Sequence, residues 1–295
     1  MYVITGATGN TGRLIAELLL ANDKPVRVIG RSLDRLQPLV DKGAQAAVGS
    51  LDDPAFLASA VQDATAIYAM IPPRYDAADF RAYQNTVGEV LADAIRAEGV
   101  SHVVHLSSHG AEHSHGTGPI LGLHDQEARL NGIDGLNVLH LRPSYFLENL
   151  FGQMQTIRQM GIMGSAIRGD VRIPMIATRD IADYAARRLL ALDFTGSAVQ
   201  PLLGADDYSH DQVATVIGKA IGKPELSYVA FPYDEARQAM VGMGMSKSVA
   251  DAFVEMSDAA NTGHALGPVE RDSENTTPTT LSDFAAVFAQ AYRQG

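Results

Sequence analysis

The sequence predicts an α/β protein: a doubly wound parallel sheet followed by a smaller α+β C-terminal unit. Three observations carry this. Strand-like apolar runs alternate with amphipathic helical runs up to position 143, the pattern of βαβ units. Crossovers between parallel strands are right-handed, which winds helices onto both faces of the sheet. The stretch "TGATGNTG" then puts Gly6, Gly9 and Gly12 between the first strand and the first helix. That is where a Rossmann-type sheet carries its phosphate-binding turn.

The elements follow in order. "YVITGA" (2–7) is a short apolar run that ends in a glycine turn, and "TGRLIAELLLAND" (11–23) spaces Leu14/Leu18 and Ile15/Leu19 as a helix does. "VRVIG" (26–30) is the second strand, with a helix over 32–43 despite Pro38. Then come a strand at 44–50, a helix at 54–62, a strand at 66–71, a long helix near 77–98 and a strand at 102–108. A helix near 120–131 and a strand at 137–143 complete the alternating part. Beyond Pro143 a loop enters a helix, and 171–192 reads as a strand and then a helix capped near Thr178 or Asp180. Residues 209–224 form a helix with Ser209 as N-cap, ended by Gly222 and Pro224. The expected division is a nucleotide-binding domain over 1–150, its sheet completed from within 166–203, and a smaller substrate-binding domain over 151–295.

Composition excludes several roles. The 295-residue chain carries a net charge of −11 and only five scattered lysines, too little positive charge to hold a phosphate backbone, so no nucleic-acid partner is expected. Cysteine is absent, which removes disulfides, thiolate metal sites and a thiol nucleophile. The first residues lack a basic signal-peptide region, and no apolar stretch approaches the roughly 20 residues that span a bilayer. A cytoplasmic protein without membrane attachment is expected. Interface residues do not stand out, so a homodimer is left open.

The glycine turn has a physical reading. Gly6 permits the tight turn, Gly9 lets the backbone approach a pyrophosphate, and Gly12 allows helix and strand to pack closely. Thr8, Asn10 and Thr11 complete the turn and the first helical positions, whose free N–H groups and positive dipole end favour phosphate. The end of the second strand selects the nucleotide. An NAD site usually carries a carboxylate there; this chain reads "VRVIGRSLDR", with Arg31 in its place and Ser32 and Arg35 nearby. A guanidinium suits a 2′-phosphate, so NADP(H) is the expected cofactor. Asp52 either bonds the adenine amino group or caps the helix beginning near Pro54.

"GATGNTG", "GRS" after the second strand, "VVHLSS", "LRPSYFLENL" and "ATRDIADYA" resemble the NmrA-like proteins, atypical short-chain dehydrogenase/reductases. The resemblance covers nearly the whole chain and is strongest to the triphenylmethane reductase and NADPH quinone oxidoreductase type. It implies an NADP-binding sheet, with the end of the fifth strand, Ser107 and Ser108, beside the nicotinamide. It also implies that Pro143, Tyr145 and Phe146 wall the nicotinamide side, and that the loop with Ile71, Pro72, Arg74 and Tyr75 passes under the cofactor. His124 falls where relatives carry a Lys or His near the cofactor. His124, Tyr145 and Ser107 are thus the catalytic candidates; the competing readings are a surface histidine at a helix start, a core aromatic and a capping serine.

One departure is direct. Ordinary short-chain dehydrogenases use Tyr-x-x-x-Lys, in which lysine lowers the tyrosine pKa. None of the ten tyrosines here has lysine four residues on. That disfavours alcohol dehydrogenation, and equally a sugar-nucleotide epimerase or dehydratase. It leaves hydride transfer to an acceptor that needs little acid help. The expected activity is an NADPH-dependent reductase of a small, conjugated, apolar acceptor, quinonoid or dye-like. The alternative is a redox sensor that binds NADP(H) and acts through a protein partner without turnover.

Six of the nine histidines lie between His102 and His124. His102 and His105 sit three apart on a strand and so point to opposite faces. His109, His113 and His115 follow in a loop beside Glu112, without a helical metal motif, so no metal is expected. Met240, Met243 and Met245, with Phe253, read as core filler.

Overall fold

The computed structural model describes residues 1–265 and 269–294. The alternating part gives β1 (Tyr2–Ile4), α1 (Asn10–Ala21), β2 (Val26–Gly30), α2 (Leu33–Val40), β3 (Gln45–Val48), α3 (Pro54–Val61), β4 (Ala66–Ala69), α4 (Phe80–Ala97), β5 (His102–Leu106), α5 (Leu121–Asn131) and β6 (Asn137–Pro143). There follow β7 (Tyr145–Phe146), α6 (Met154–Met160), β8 (Ile162–Ser165), β9 (Arg172–Ile176), α7 (Thr178–Ala191) and β10 (Ser197–Leu202). The chain ends with β11 (Asp206–Ser209), α8 (His210–Ala220), β12 (Ser227–Ala230), α9 (Tyr233–Gly242), α10 (Lys247–Thr262) and α11 (Leu281–Gln294).

Seven strands form one parallel sheet in the order β10-β6-β5-β4-β1-β2-β3. The order reverses between β1 and β4, the switch point where an open α/β sheet leaves a crevice beyond the strand ends. Alternate side chains feed two cores. Ile4, Val28, Val104 and Leu139 pack with Ile15 and Leu19 of α1 and Ile181 and Leu189 of α7. Their neighbours Val3, Ile29, Val103 and Val138 pack with Leu57 of α3, Leu91 of α4 and Leu130 of α5. Burial on both faces explains why these strands read as unbroken apolar runs.

The segment 178–202 therefore belongs with the sheet: α7 lies on α1, and β10 extends the sheet beside β6. The N-terminus of α7 is closed by neither Thr178 nor Asp180 as the cap. Its N-cap is Ala177, and the Glu148 carboxylate accepts the Thr178 N–H at 2.9 Å. Asp180 instead accepts the Thr279 N–H at 3.0 Å and its hydroxyl at 2.6 Å, fastening the chain ahead of α11. Ser209 caps α8 in a full capping box with Gln212. A third core joins Leu150, Met163, Met175, Val213, Ile217, Phe284 and Phe288 of the C-terminal elements.

Met243 is not core filler: it is 73% exposed at the turn between α9 and α10. Met245 and Phe253 pack on a small cluster of Ala77, Phe80 and Val249. There the Ser246 N–H donates to Tyr75 O at 2.9 Å and its hydroxyl to Ala77 O at 2.6 Å. The start of α10 thus clamps the loop that leaves β4 over the strand ends.

Candidate active site

The turn after β1 is fixed from below. Thr5 Oγ1 accepts the Met70 N–H at 2.8 Å and donates to Tyr68 O at 3.1 Å, joining the ends of β1 and β4. Tyr68 is fully buried and donates its hydroxyl to Thr11 Oγ1 at 2.9 Å. Burial pushes its phenol far above the ordinary value, so it stays a donor. Gly6 has φ +61°, the left-handed region that favours glycine, and the Gly9 N–H donates to Gly6 O at 2.9 Å. A Cβ on Gly12 would stand 2.5 Å from Gly6 O, so the strand end and the helix meet backbone to backbone.

The start of α1 differs from its neighbours. Ser32, Asp53 and Asp79 close the starts of α2, α3 and α4 with their side chains. Gly9 caps α1 without a side chain, and no acid stands in the first turn. The first N–H groups of α1 are thereby left to an anion. This cradle, with no room for a Cβ at Gly12, fits a dinucleotide pyrophosphate.

At the ends of β2, β3 and β4 the charges gather. Arg31 is exposed and, among the described residues, makes no ion pair or side-chain hydrogen bond. Arg35 is also exposed, while Ser32 Oγ accepts the Arg35 N–H as helix cap. Asp53, rather than Asp52, caps α3, with Oδ1 accepting Ala55 and Phe56 N–H at 3.0 and 3.1 Å. Asp52 is thereby free to face Arg74, 3.9 Å away. Arg74 lies over the ring of Tyr83 at 5.4 Å, and the Tyr83 hydroxyl donates to Pro72 O at 3.1 Å. Burial raises the Tyr83 phenol, and Asp52, Arg74 and Arg31 all act on it, so the three charges share one neighbourhood. Ile71 is buried and Pro72 partly so on the same loop.

On the other side of the switch point, the chain continues to pair after β5 and β6. The Ser107 N–H donates to Leu141 O at 2.8 Å and the His109 N–H to Pro143 O at 2.9 Å. Ser107, Ser108 and Pro143 are thereby brought side by side. The Ser107 hydroxyl donates to Glu127 Oε1 at 2.5 Å. Glu127 is bound bidentately by Arg142, Nε to Oε1 at 2.9 Å and Nη2 to Oε2 at 2.6 Å, and Arg142 also reaches Glu112 at 3.0 Å. Sequence reasoning missed Glu127 and Arg142. Their signal was a lone carboxylate on the inner face of one helix and a lone arginine near the end of an apolar strand. Ser108 donates to the His109 carbonyl at 2.9 Å.

His124, on α5, is partly exposed and lies 2.8 Å from Ala111 O through Nδ1. A carbonyl only accepts, so Nδ1 carries the proton. The neutral ring then presents Nε2 as an acceptor. Tyr145 turns elsewhere. Its strand β7 pairs with β9 rather than with the large sheet, and its ring meets His210 edge-on at 5.6 Å, with Tyr228 behind at 4.9 Å. Its surroundings push the Tyr145 phenol far above the ordinary value. Phe146 packs against the α1–α7 core. His124 and Tyr145 thus sit on different supports.

The other histidines divide. His105 and His140, paired in register on β5 and β6, are buried with Nδ1 atoms 3.0 Å apart. His102 points to the opposite face and meets Phe194 edge-on at 5.3 Å. His113 and His115 flank His264, with ring centroids 4.4 and 5.5 Å from it. Among the described residues, no group of three or more His, Asp or Glu side chains is arranged to hold a metal ion.

With this geometry in place, comparison with known proteins assigns the family. The family described as "NmrA-like family" matches residues 2–285. The chain belongs to the NmrA-like family. Among relatives, it is 29% identical over 296 residues to the NAD(P)H azoreductase of Xenophilus azovorans, spanning 99% of each chain. The same fold occurs in the NADPH-dependent quinone oxidoreductase of Escherichia coli complexed with NADPH, at TM-score 0.79 and 22% identity, covering 97% of this chain and 99% of that one. It occurs also in the Citrobacter sp. triphenylmethane reductase complexed with NADP(H), at TM-score 0.79 and 20% identity, over 98% and 100%. Among the described residues, no helix is long and apolar enough to cross a membrane.

Proposed function

We propose that this chain is an NADPH-dependent reductase that transfers hydride to a small, conjugated, electron-poor acceptor, quinonoid or dye-like. One observation carries the reading: a helix start with no side-chain cap and no acid behind the Gly6–Gly12 contact, with an Arg31 that pairs with no side chain among the described residues where an NAD site would carry a carboxylate. The relative named NAD(P)H azoreductase, similar along its whole length, supports the class of reaction.

NADPH, when bound, supplies the hydride. The chain's own residues do the rest. The first N–H groups of α1 hold the pyrophosphate, and Arg31, with Arg35 near, holds the 2′-phosphate. A quinone that takes hydride also needs one proton to become hydroquinone. A triarylmethane cation takes hydride alone. His124 gives the proton from Nε2 when the ring is protonated, because its Nδ1–H is held by Ala111 O. Tyr145 is a poor acid, since its phenol is shifted upward and no lysine stands four residues on; its role is to line the acceptor side. Positioning of nicotinamide against acceptor supplies most of the rate.

The test is NADPH oxidation by the purified protein against a panel of quinones and triarylmethane dyes, with NADH alongside. Turnover with NADPH well above NADH supports the reading. Tight NADPH binding without turnover of any acceptor favours the redox-sensor alternative.

A further inference from the structure

We propose that α10 is a strap across the loops that leave β4 and β5, fastened by serines at its start and by a cluster of three histidines at its end, and that acid undoes the histidine end.

The serine end is held by groups that do not ionise. The Ser246 N–H donates to Tyr75 O at 2.9 Å and its hydroxyl to Ala77 O at 2.6 Å. Two residues on, Ser248 Oγ accepts the Phe80 N–H at 3.0 Å, and Val249 packs with Ala77 and Phe80. Along the middle of α10, Gly118 of the loop ahead of α5 lies against the Ala252 carbonyl, with no room for a Cβ between them. The helix thus crosses from the loop after β4 to the loop after β5.

The far end is built differently. α10 closes at Gly263, φ +78°, and His264 follows. Its Nε2 lies 3.0 Å from His115 O; a carbonyl only accepts, so Nε2 carries a proton. Its ring centroid is 4.4 Å from that of His113 and 5.5 Å from that of His115. The loop makes room with glycine: a Cβ on Gly116 would stand 3.1 Å from His264 Nε2, and one on Gly110 3.4 Å from Ala265 O.

The surroundings supply little counter-charge. Among the described residues, the carboxylate that reaches the cluster is Glu112, its Oε1 3.7 Å from His113 Nε2. Its other oxygen is bound by Arg142 of β6 at 3.0 Å, so its charge is shared. His109, on the same loop, is held low by burial, and Glu112, Arg142, His113 and Asp207 of β11 act on it. Asp207 is itself bound by Arg271 at 3.1 Å. On α10, Asp251 pairs with Arg237 and Lys247, Asp258 accepts the Tyr233 hydroxyl, and Glu255 acts on Arg81.

One proton on His113 is therefore offset by Glu112. A second, on His264, sets two cations 4.4 Å apart, centroid to centroid, and a third on His115 adds to the repulsion. Two like charges about 4 Å apart in a water-like medium repel enough to shift an equilibrium roughly fivefold. Imidazoles take up protons between about pH 8 and 5. The fastening is thus complete at neutral pH and weakens as pH falls, while the serine end holds.

The experiment is amide hydrogen exchange of the purified protein at pH 7.5 and pH 5.5, each rate divided by the intrinsic chemical rate at that pH. The amides of Ala111, His113, Gly263 and Ala265 report the histidine end, since each donates to a backbone carbonyl. Ser246 and Ala250 report the serine end, and Val103 and Leu139, paired within the sheet, report the whole fold. Between the two pH values, opening at the histidine end should rise about fivefold more than at either control. His113→Phe and His264→Phe keep an aromatic ring without the charge, and His113→Phe also spares the bond to His115 O. Each should cut the excess to less than about twofold, and His113→Phe should keep wild-type protection at pH 7.5.

No excess in wild type overturns the proposal. An excess kept in His113→Phe overturns it as well, because the acid response would then belong to other groups, the buried histidines among them. So does a His113→Phe protein already as open at pH 7.5 as wild type at pH 5.5: packing of the ring, and not its charge, would then be the fastening.

Discussion

Gly12 lies flat against Gly6: a Cβ built on Gly12 would stand 2.5 Å from the Gly6 carbonyl oxygen and 3.0 Å from that of Thr5. Both obstacles are backbone, and neither can swing aside. Gly12→Ala is therefore expected to cost about 1–3 kcal/mol of stability, the range for overpacking, and to weaken NADPH binding, because α1 must shift off the turn. Gly152, with nothing within 4 Å of its added Cβ, is the control, and Gly152→Ala should leave both unchanged. Thermal melts and NADPH titrations of the two variants check this.

Arg31 is expected to decide between the nucleotides. A charge-assisted hydrogen bond contributes roughly 1.5–3 kcal/mol, or about ten- to a hundredfold in binding. Arg31→Ala should raise the KM for NADPH by that factor and leave the KM for NADH nearly unchanged. Steady-state kinetics with both cofactors measure it; equal losses for the two would show that Arg31 does not read the 2′-phosphate.

His124 should matter only where a proton is needed. General acid catalysis contributes roughly 10²–10⁴-fold. His124→Asn is expected to lower kcat with a quinone by about a hundredfold and kcat with a cationic triarylmethane dye by less than about threefold. A drop of equal size for both acceptors would assign His124 to cofactor placement instead.

Acid should loosen the fold through its buried histidines. Burial lowers His140 and His210 from 6.5 to about 4, and His105 well below its ordinary value, with the neighbouring His140 adding to the effect there. The unfolded chain binds these protons near pH 6.5 and the folded chain only near pH 4, so stability is greatest above pH 6.5 and falls as pH drops toward 4. Each of His140 and His210 contributes on the order of 3 kcal/mol across that window. Denaturant melts at pH 7 and pH 5 should show the loss, and His210→Phe should flatten the dependence. A stability that holds level between those pH values would refute the assignment.

Asp180 fastens the C-terminal helix. It is 5% exposed and receives both the N–H and the hydroxyl of Thr279. Asp180→Ala leaves these donors unpaired and should cost about 1–3 kcal/mol, with α11 losing amide-exchange protection before the sheet does. Uniform loss of protection would show that α11 and the sheet unfold as one unit.

The order of strands and helices up to position 143, the glycine turn and Arg31 at the end of β2 were legible in the sequence because each is a local pattern. Periodicity marks a strand or a helix within a few residues, and a turn that needs φ +61° at Gly6 is written as glycine. Asp52 was read as an adenine partner or as the cap of α3, and the cap falls one residue on, at Asp53, because a one-residue shift of a helix start leaves the pattern intact. Met243 at the α9–α10 turn misled for a related reason, while Met245 and Phe253 pack as core: apolar character does not say which side of a helix the rest of the chain covers. The tertiary structure alone decided the pairs that lie far apart in sequence. Ser107 meets Glu127 twenty residues on, and His105 meets His140 thirty-five residues on. Both depend on the register of β5 against β6 and on the rotation of α5 above them. Those are set by the packing of two whole cores, so no local run of residues encodes them.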